Sequence, residues 1–271
     1  MRTAASAPIV AGLRYDFLMP APGPRLLPAA RRYWSDLASR NGRLAATRAL
    51  VATLWEFLRD STPANRRQRY GDADYDWEYR VNTTSAAVAW RDRMLGAFHS
   101  PYQPTEPALF HEMLGTLARN FDLNLGDFTF LDLGSGKGRT LLMASDYPFR
   151  RIIGVELLPA FDRIAQENLH RYVNESRKCF TVETVCADAT TFPLPDVPLV
   201  VYLFNPFPES GLRRVVASLE QSLCANPRAV YVLYHNPLLE HVLVENGSLR
   251  KVSATHQYSV FAAMGSRQQK L

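Results

Sequence analysis

The sequence predicts an α/β fold, doubly wound about a mostly parallel sheet and preceded by a helical N-terminal extension. Three observations predict it. From residue 128 onward, short apolar runs alternate with amphipathic stretches at helical spacing. Several runs, such as Leu199-Val200-Val201-Tyr202-Leu203-Phe204, are apolar throughout, as strands covered on both faces must be. One run, Phe130-Leu131-Asp132-Leu133, empties into Gly134-Ser135-Gly136-Lys137-Gly138, a glycine-rich strand-to-helix turn.

The elements follow in order. Residues 1–28 are rich in Pro and Ala, without a period, and read as irregular. Residues 29–60 read as a helix, with Ala46, Leu50, Leu54, Phe57 and Leu58 at three- and four-residue spacing, stopped by Ser61-Thr62-Pro63. Residues 63–84, polar and rich in Tyr, Asp and Arg, read as a long loop or lid. Ala86 to Phe98 can be helical, and Pro101 and Pro104 force an extended turn. Thr105 is placed to cap a helix from Glu106 to about Phe121, with Leu109, Met113, Leu114 and Leu117 on one face. Strands are expected over 128–133, 151–157, 180–187, 198–204 and 229–234. Helices are expected over 138–146, 160–173, 209–224 and 238–245. Residues 249–254 and 258–264 can close the sheet as an antiparallel pair. This divides the chain into a helical and loop extension over 1–100 and a ligand-binding domain over 101–271.

A length of 271 residues holds one large domain with an extension, and 47% hydrophobic with 21% charged residues is ordinary for a soluble globular protein. No apolar run approaches the roughly 20 residues of a membrane span. The N-terminus lacks a signal-peptide pattern, because Pro8, Arg14 and Asp16 interrupt or flank its short apolar stretch. Cys179, Cys186 and Cys224 are scattered and odd in number, which argues against a disulfide framework or a zinc site and fits a reducing cytoplasm. His235 and His241 have no partner at metal-ligand spacing, so no metal is expected. The net charge of +5 is uneven. Residues 1–60 hold nine Arg against four Asp and Glu, a surplus of five, so the remainder is balanced. Such a segment can attract nucleic acid or an acidic partner, or be a solvated helical face.

The glycine loop carries the chemistry. A dinucleotide fingerprint needs glycine at position 139, which is Arg139. A P-loop needs Ser or Thr after the Gly-Lys pair and glycine at 131, and the chain has Gly138 and Leu131. Asp132, two residues before the first glycine, would repel a phosphate. It suits S-adenosylmethionine, which has no phosphate and carries a cationic amine and a cationic sulfonium. In an open parallel sheet, ligands sit beyond the C-terminal strand ends. The second strand ends at Glu156, where an acid can accept from ribose hydroxyls. The third ends at Asp188, in Cys186-Ala187-Asp188-Ala189, where an acid can accept from an adenine amino group. The fourth ends in Asn205-Pro206-Phe207-Pro208 and the fifth in His235-Asn236-Pro237. A lone acid at a strand end is often only a helix cap. Three on successive strands after a glycine loop make a site.

In these residues, over about 100–264, the chain resembles the class I S-adenosylmethionine-dependent methyltransferases. The resemblance implies a seven-stranded sheet with the last strand antiparallel. It implies that Asp132, Leu133, Gly134, Ser135, Gly136 and Gly138 hold the methionine end, Glu156 and Leu157 the ribose, and Asp188 and Ala189 the adenine. Tyr102-Gln103-Pro104-Thr105 is similar to the Y-x-P-[ST] element of the seven-strand protein-lysine methyltransferases, which implies that Tyr102 and Thr105 line the cofactor pocket. Asn205-Pro206-Phe207-Pro208 resembles the [DN]-P-P-[FY] element of enzymes acting on planar amides or adenine N6. It departs from it at Phe207 and Pro208. The resemblance implies that Asn205 and Phe207 serve the acceptor, with Asn205 also bordering the cofactor. The expected function is methyl transfer from S-adenosylmethionine to a nitrogen of a protein side chain, lysine-like. The rivals are N-methylation of a nucleic-acid base or a small molecule, aminopropyl transfer, and a binding module without turnover. The sequence leaves the acceptor, the oligomeric state and the role of residues 1–60 open.

Overall fold

The computed structural model describes residues 26–60, 73–84 and 102–264. Seven strands form one sheet: β1 (Thr129–Leu133), β2 (Arg151–Glu156), β3 (Val182–Cys186), β4 (Leu199–Leu203), β5 (Val230–His235), β6 (Leu249–Ala254) and β7 (Tyr258–Ala263). Their order is β3-β2-β1-β4-β5-β7-β6. The first five run parallel, and β7 runs antiparallel between β5 and β6. The expected sheet, with its last strand antiparallel, is therefore the observed one. The chain enters at the centre, winds outward to β3, then returns to β4 beside β1. That reversal opens a crevice above the C-terminal ends of β1 and β4, where ligands of such sheets bind.

The helices are α1 (Leu26–Asn41), α2 (Arg43–Asp60), α3 (Ala73–Tyr79), α4 (Pro107–Phe121), α5 (Arg139–Ala144), α6 (Pro159–Arg171), α7 (Glu209–Ala225) and α8 (Glu240–Val244). Alternation along each strand feeds two cores. On one face Phe130, Tyr202 and Tyr231 pack with Leu109, Phe110, Met113, Leu114 and Leu117 of α4 and Leu141 to Ala144 of α5. On the other, Leu131, Ile153, Val201 and Val232 pack with Leu212, Val215, Val216 and Leu219 of α7 and with α8. Each fully buried aromatic or aliphatic side chain contributes about 1.5–3 kcal/mol against the chain entropy of folding. Strands β1, β4 and β5 are buried along their whole length, whereas β3 at the sheet edge is half-buried throughout.

Four expectations are corrected. Residues 29–60 are not one helix: Gly42, at φ 82, breaks the stretch between α1 and α2. A backbone turn in the left-handed region favours glycine, and here it lets the two helices fold back on each other. The two are joined by Tyr33 and Thr53 hydroxyls at 2.9 Å and by Trp34 Nε1 donating to Thr47 Oγ1 at 3.1 Å. Within the polar 63–84 stretch, Ala73–Tyr79 is a helix, α3, because Tyr75 on one face is buried in the first core. Thr105 does not cap α4. Glu106 is the N-cap residue, without a side-chain bond, and the Thr105 hydroxyl turns instead to Tyr202. Of the start expected to be irregular over 1–28, residues 26–28 are the first turn of α1; its residues 1–25, the helix expected over Ala86 to Phe98 and Pro101 lie outside the described residues.

Candidate active site

The glycine loop leaves β1 and enters α5 through Gly134, Gly136 and Gly138, at φ 95, 55 and 82. The backbone N–H groups of Gly134 and Ser135 donate to the Val155 carbonyl at 2.8 and 3.1 Å, which holds the loop against β2. Two glycines are required by close approach. A Cβ on Gly136 would overlap the Tyr102 ring, and one on Gly134 would overlap Pro206. The loop is thus met from above by the 102–105 segment and from the β4 side by the Asn205-Pro206 turn.

The acids gather here. Asp132 is 2% exposed and accepts a hydrogen bond from the Thr140 hydroxyl of α5. Glu156 accepts from the N–H groups of Gly136 and Leu158, both at 2.8 Å, so the acid ending β2 is tied to the loop after β1. Burial raises the pKa of both carboxyls to about 7. The Thr140 bond works against the shift at Asp132, and the backbone N–H groups of Leu158, Gly136 and Leu157 work against it at Glu156. Asp188 accepts from the Thr190 N–H and hydroxyl at 2.9 and 2.7 Å. A further acid escaped the sequence reading. Asp162 is buried in the first turn of α6, and its charge raises both Glu156 and Cys186. An acid in a helix's first turn reads as a dipole complement, so only packing shows that it faces the strand ends.

The ends of β4 and β5 are different in kind. Tyr202, buried, bonds through its hydroxyl to Thr105 Oγ1 and to His235 Nδ1, each at 2.8 Å. The His235 ring stacks on Phe204 at 3.8 Å between centroids. Burial lowers the His235 pKa to about 4, so the imidazole is neutral at physiological pH. Asn205 and Asn236 turn the chain at φ 45 and 47, a region that Asn tolerates. The Asn205 amide donates to the Asn236 carbonyl at 2.6 Å and accepts from the Tyr234 hydroxyl at 2.9 Å, binding the two turns together.

The sequence-named residues therefore fall into groups. Tyr102, Asp132, Leu133, Gly134, Ser135, Gly136, Gly138 and Glu156 come together around the loop, with Leu157 next in the chain. Asp188 and Ala189 stand at the neighbouring strand end. Thr105 and Asn205 border the crevice on the β4 side. The Phe207 side chain packs on Gly211 of α7, against the core that also holds Ala189. Pro206, not Phe207, reaches the glycine loop. The helical hairpin adds a further wall. Leu158 and Phe161 beyond β2 cluster with Ala29 and with Tyr33, Leu50, Leu54 and Tyr102. Beyond β4, Asp36 accepts from Ser210 at 2.9 Å and Arg40 pairs with Glu209 at 2.9 Å. The hairpin thus reaches from the end of β2 to the end of β4, a placement no sequence pattern announces.

Among the described residues no group of His, Cys, Asp and Glu can hold a metal ion, and no helix is long and apolar enough to cross a membrane. The donor set fits an adenosyl-sulfonium ligand. Buried carboxyls with pKa near 7 gain from a cation and reject a phosphate, and the buried Ser135 hydroxyl has no partner of its own.

Residues 131–205, from β1 to just beyond β4, match the family model of a methyltransferase domain. No curated protein matches the sequence. Among solved structures, an RNA methyltransferase from Salinibacter ruber in complex with S-adenosyl-L-homocysteine is 18% identical, over 62% of this chain and 96% of its own, at TM-score 0.40. The putative methyltransferase yhhF from Escherichia coli is 20% identical, over 63% and 90%, at 0.40. A predicted N6-adenine-specific DNA methylase from Listeria monocytogenes is 15% identical, over 59% and 51%, at 0.42. The methyltransferase model falls on the glycine loop, the two buried acids and the parallel core strands just described. Residues 131–205 are thus similar to a methyltransferase domain, and the glycine loop and buried acids within them are where an S-adenosylmethionine cofactor would sit.

Proposed function

We propose that the chain methylates a nitrogen of a protein side chain, lysine-like. The observation that carries this is the course of Tyr102-Gln103-Pro104-Thr105. It crosses the crevice from Gly136, where the Tyr102 ring rests, to Tyr202, where Thr105 bonds. That placement supports the similarity of this element to the one in seven-strand protein-lysine methyltransferases. The loop residues Asp132, Leu133, Gly134, Ser135, Gly136 and Gly138 would hold the methionine end beneath Tyr102 and Thr105. Glu156 and Leu157 would hold the ribose, since the Glu156 carboxylate, bonded by backbone N–H groups, keeps acceptor capacity for hydroxyls. Asp188 and Ala189 would hold the adenine.

When bound, S-adenosylmethionine supplies a methyl carbon already activated by its sulfonium. The protein's work is alignment and exclusion of water, which together supply a large share of the barrier reduction. The acceptor side is lined by Thr105, Tyr202, Phe204, Asn205 and a neutral His235, so the described crevice wall offers hydrogen bonds without charge. That suits an amine arriving deprotonated, which has the free electron pair that in-line displacement needs. Phe207 keeps an indirect part, bracing the turn that presents Asn205 and Pro206.

A second reading, methylation of a nucleic-acid base, is favoured by one observation. Arg31, Arg32, Arg43 and Arg48 are exposed on the hairpin that walls the crevice, where phosphates have access to them. One experiment separates the two. Purified protein is incubated with cell extract and cofactor carrying a labelled methyl group, and the product is divided between protease and nuclease. Label released by protease supports the proposal. Label that resists protease and yields to nuclease overturns it.

A further inference from the structure

Lys137 and Arg139 take no part in the roles above, yet both are buried, at 0% and 2% exposure. Burial lowers their pKa values to about 8 and about 10. They stand at the N-terminal end of α5, where the helix dipole disfavours cations. A cation kept at such a place needs partners that offset both costs. Those partners come from one short segment, residues 76–84. Lys137 Nζ donates to Asn82 Oδ1 at 3.1 Å and to the Thr84 carbonyl at 2.5 Å. Arg139 Nε donates to Thr83 Oγ1 at 2.6 Å. One of its terminal nitrogens lies 3.4 Å from Asp76, and its guanidinium covers the Tyr75 ring at 4.7 Å. Asn168 of α6 adds a third tie. Its amide accepts from the Asn82 N–H at 2.7 Å and donates to both the Asn82 and the Lys137 carbonyls at 2.9 Å.

Thr83, fully buried, is the hub of this segment. Its N–H and hydroxyl donate to Asp76, its hydroxyl accepts from Arg139, and its carbonyl accepts from the Tyr102 hydroxyl at 2.5 Å. The Tyr102 ring is the one that rests on Gly136, with Lys137 Nζ 5.6 Å from its centre. A continuous path therefore runs from Asp76 and Arg139 through Thr83 to the aromatic ring that covers the glycine loop. A plain structural buttress needs no charges here, since buried ion pairs are commonly replaced by apolar packing without loss. The path instead gives the ring one orientation.

We propose that residues 76–84 are a positioning strap for the methionine end of the cofactor: Lys137 and Arg139 grip the strap, and Thr83 holds Tyr102 over Gly136. The inference rests on the reading of the glycine loop as the cofactor site, and the test separates the two. Cofactor affinity is measured by calorimetry with S-adenosylmethionine on the full chain, with thermal unfolding in parallel. Tyr102→Phe keeps the ring and removes only its bond to Thr83. It is expected to weaken binding about tenfold, the scale of one buried hydrogen bond, and to lower the unfolding temperature no more than Tyr202→Phe, which spares the glycine loop and leaves binding within about threefold. Asp76→Asn, which removes the carboxylate that Arg139 and Thr83 share, is expected to weaken binding at least as much, and Asp76→Glu to recover part of the loss. Asp132→Ala serves as the control for the site itself. If Asp132→Ala abolishes binding while Tyr102→Phe and Asp76→Asn bind as wild type does, the strap is overturned and the site stands. If Asp132→Ala also binds normally, the site reading fails first. Hydrogen exchange of the unmutated protein covers the case in which Asp76→Asn does not fold. The proposal expects added cofactor to slow exchange of the Asn82, Thr83 and Thr84 amides, and unchanged exchange there overturns it.

Discussion

The ends of β1 and β2 and the ends of β4 and β5 lie side by side on one sheet edge, yet they are built from different chemistry. The first pair is charged and locked. Asp132 and Glu156 are buried carboxyls, Lys137 and Arg139 are buried cations, and each is held by backbone or side-chain bonds. The second pair is neutral. Thr105, Tyr202, His235, Asn205 and Tyr234 bond to one another without a formal charge. The difference matches the two tasks of the proposed reaction. A cationic ligand with hydroxyls rewards buried acids, whereas a nitrogen that must keep its electron pair free is better met by neutral groups. Substitutions on the two sides should therefore fail differently: those at β1 and β2 in cofactor affinity, those at β4 and β5 in turnover or stability.

The largest effect is expected at Gly136. An alanine there is strained at φ 55 and displaces the Tyr102 ring, so Gly136→Ala should weaken S-adenosylmethionine by about 100-fold or more in calorimetry. Binding within threefold of wild type would break the contrast between the two sides. Next comes pH. Asp132 and Glu156 hold their protons to about pH 7 in the folded chain, against ordinary values of 3.8 and 4.5. A raised carboxyl pKa means that the folded state binds more protons than the unfolded one between about pH 4 and pH 7. The unliganded protein should therefore lose stability as pH rises through that window. A cationic ligand prefers the ionised acid, so cofactor affinity should fall as pH drops below about 7, with a limiting slope near tenfold per pH unit for each proton displaced. Asp132→Asn should weaken binding and flatten both dependences, and a slope unchanged by that substitution would count against Asp132 as the titrating group.

On the neutral side the effects are smaller and of another kind. Tyr202→Phe removes the bonds to Thr105 and His235 and leaves a buried ring nitrogen unpaired, at a cost of about 1–3 kcal/mol. The unfolding temperature should drop by several degrees while the cofactor dissociation constant stays within about threefold. Asn205→Ala is expected to have the least effect on cofactor affinity. It costs about 1–2 kcal/mol of backbone strain at φ 45 and loosens the turn shared with Asn236, so labelling of the extract acceptor should decline more than binding does. Should either variant lose cofactor binding as Gly136→Ala does, the two sides form one unit and the division between them is wrong.

Much of this was legible in the chain. Strand boundaries stood out because Thr129–Leu133, Leu199–Leu203 and Val230–His235 are buried on both faces and so are apolar throughout. Asp132, Glu156 and Asp188 were legible because a strand end leaves few places for an acid to stand. Other features were not. The break at Gly42 hid inside a pattern that stays helical on both sides. Helix α3 hid in a polar stretch because only Tyr75 on its buried face is apolar enough to mark it. The packing of Phe207 on Gly211 was not legible, because a motif gives the order of residues and not the direction of a side chain. Lys137 and Arg139 entered the sequence reading only as mismatches to other motifs, since their partners lie more than fifty residues earlier.

By itself, then, the sequence determined the parallel sheet, the glycine loop and the acids that exclude a phosphate, because burial, glycine spacing and charge are local properties readable in a line. Only the tertiary structure decided that Tyr102 rests on Gly136, that Thr83 holds Tyr102, and that the basic helical hairpin walls the crevice between the ends of β2 and β4. Those facts depend on which distant segments meet. The meeting is set by packing of whole faces and by the need of buried charges for partners, and neither is written at any single position.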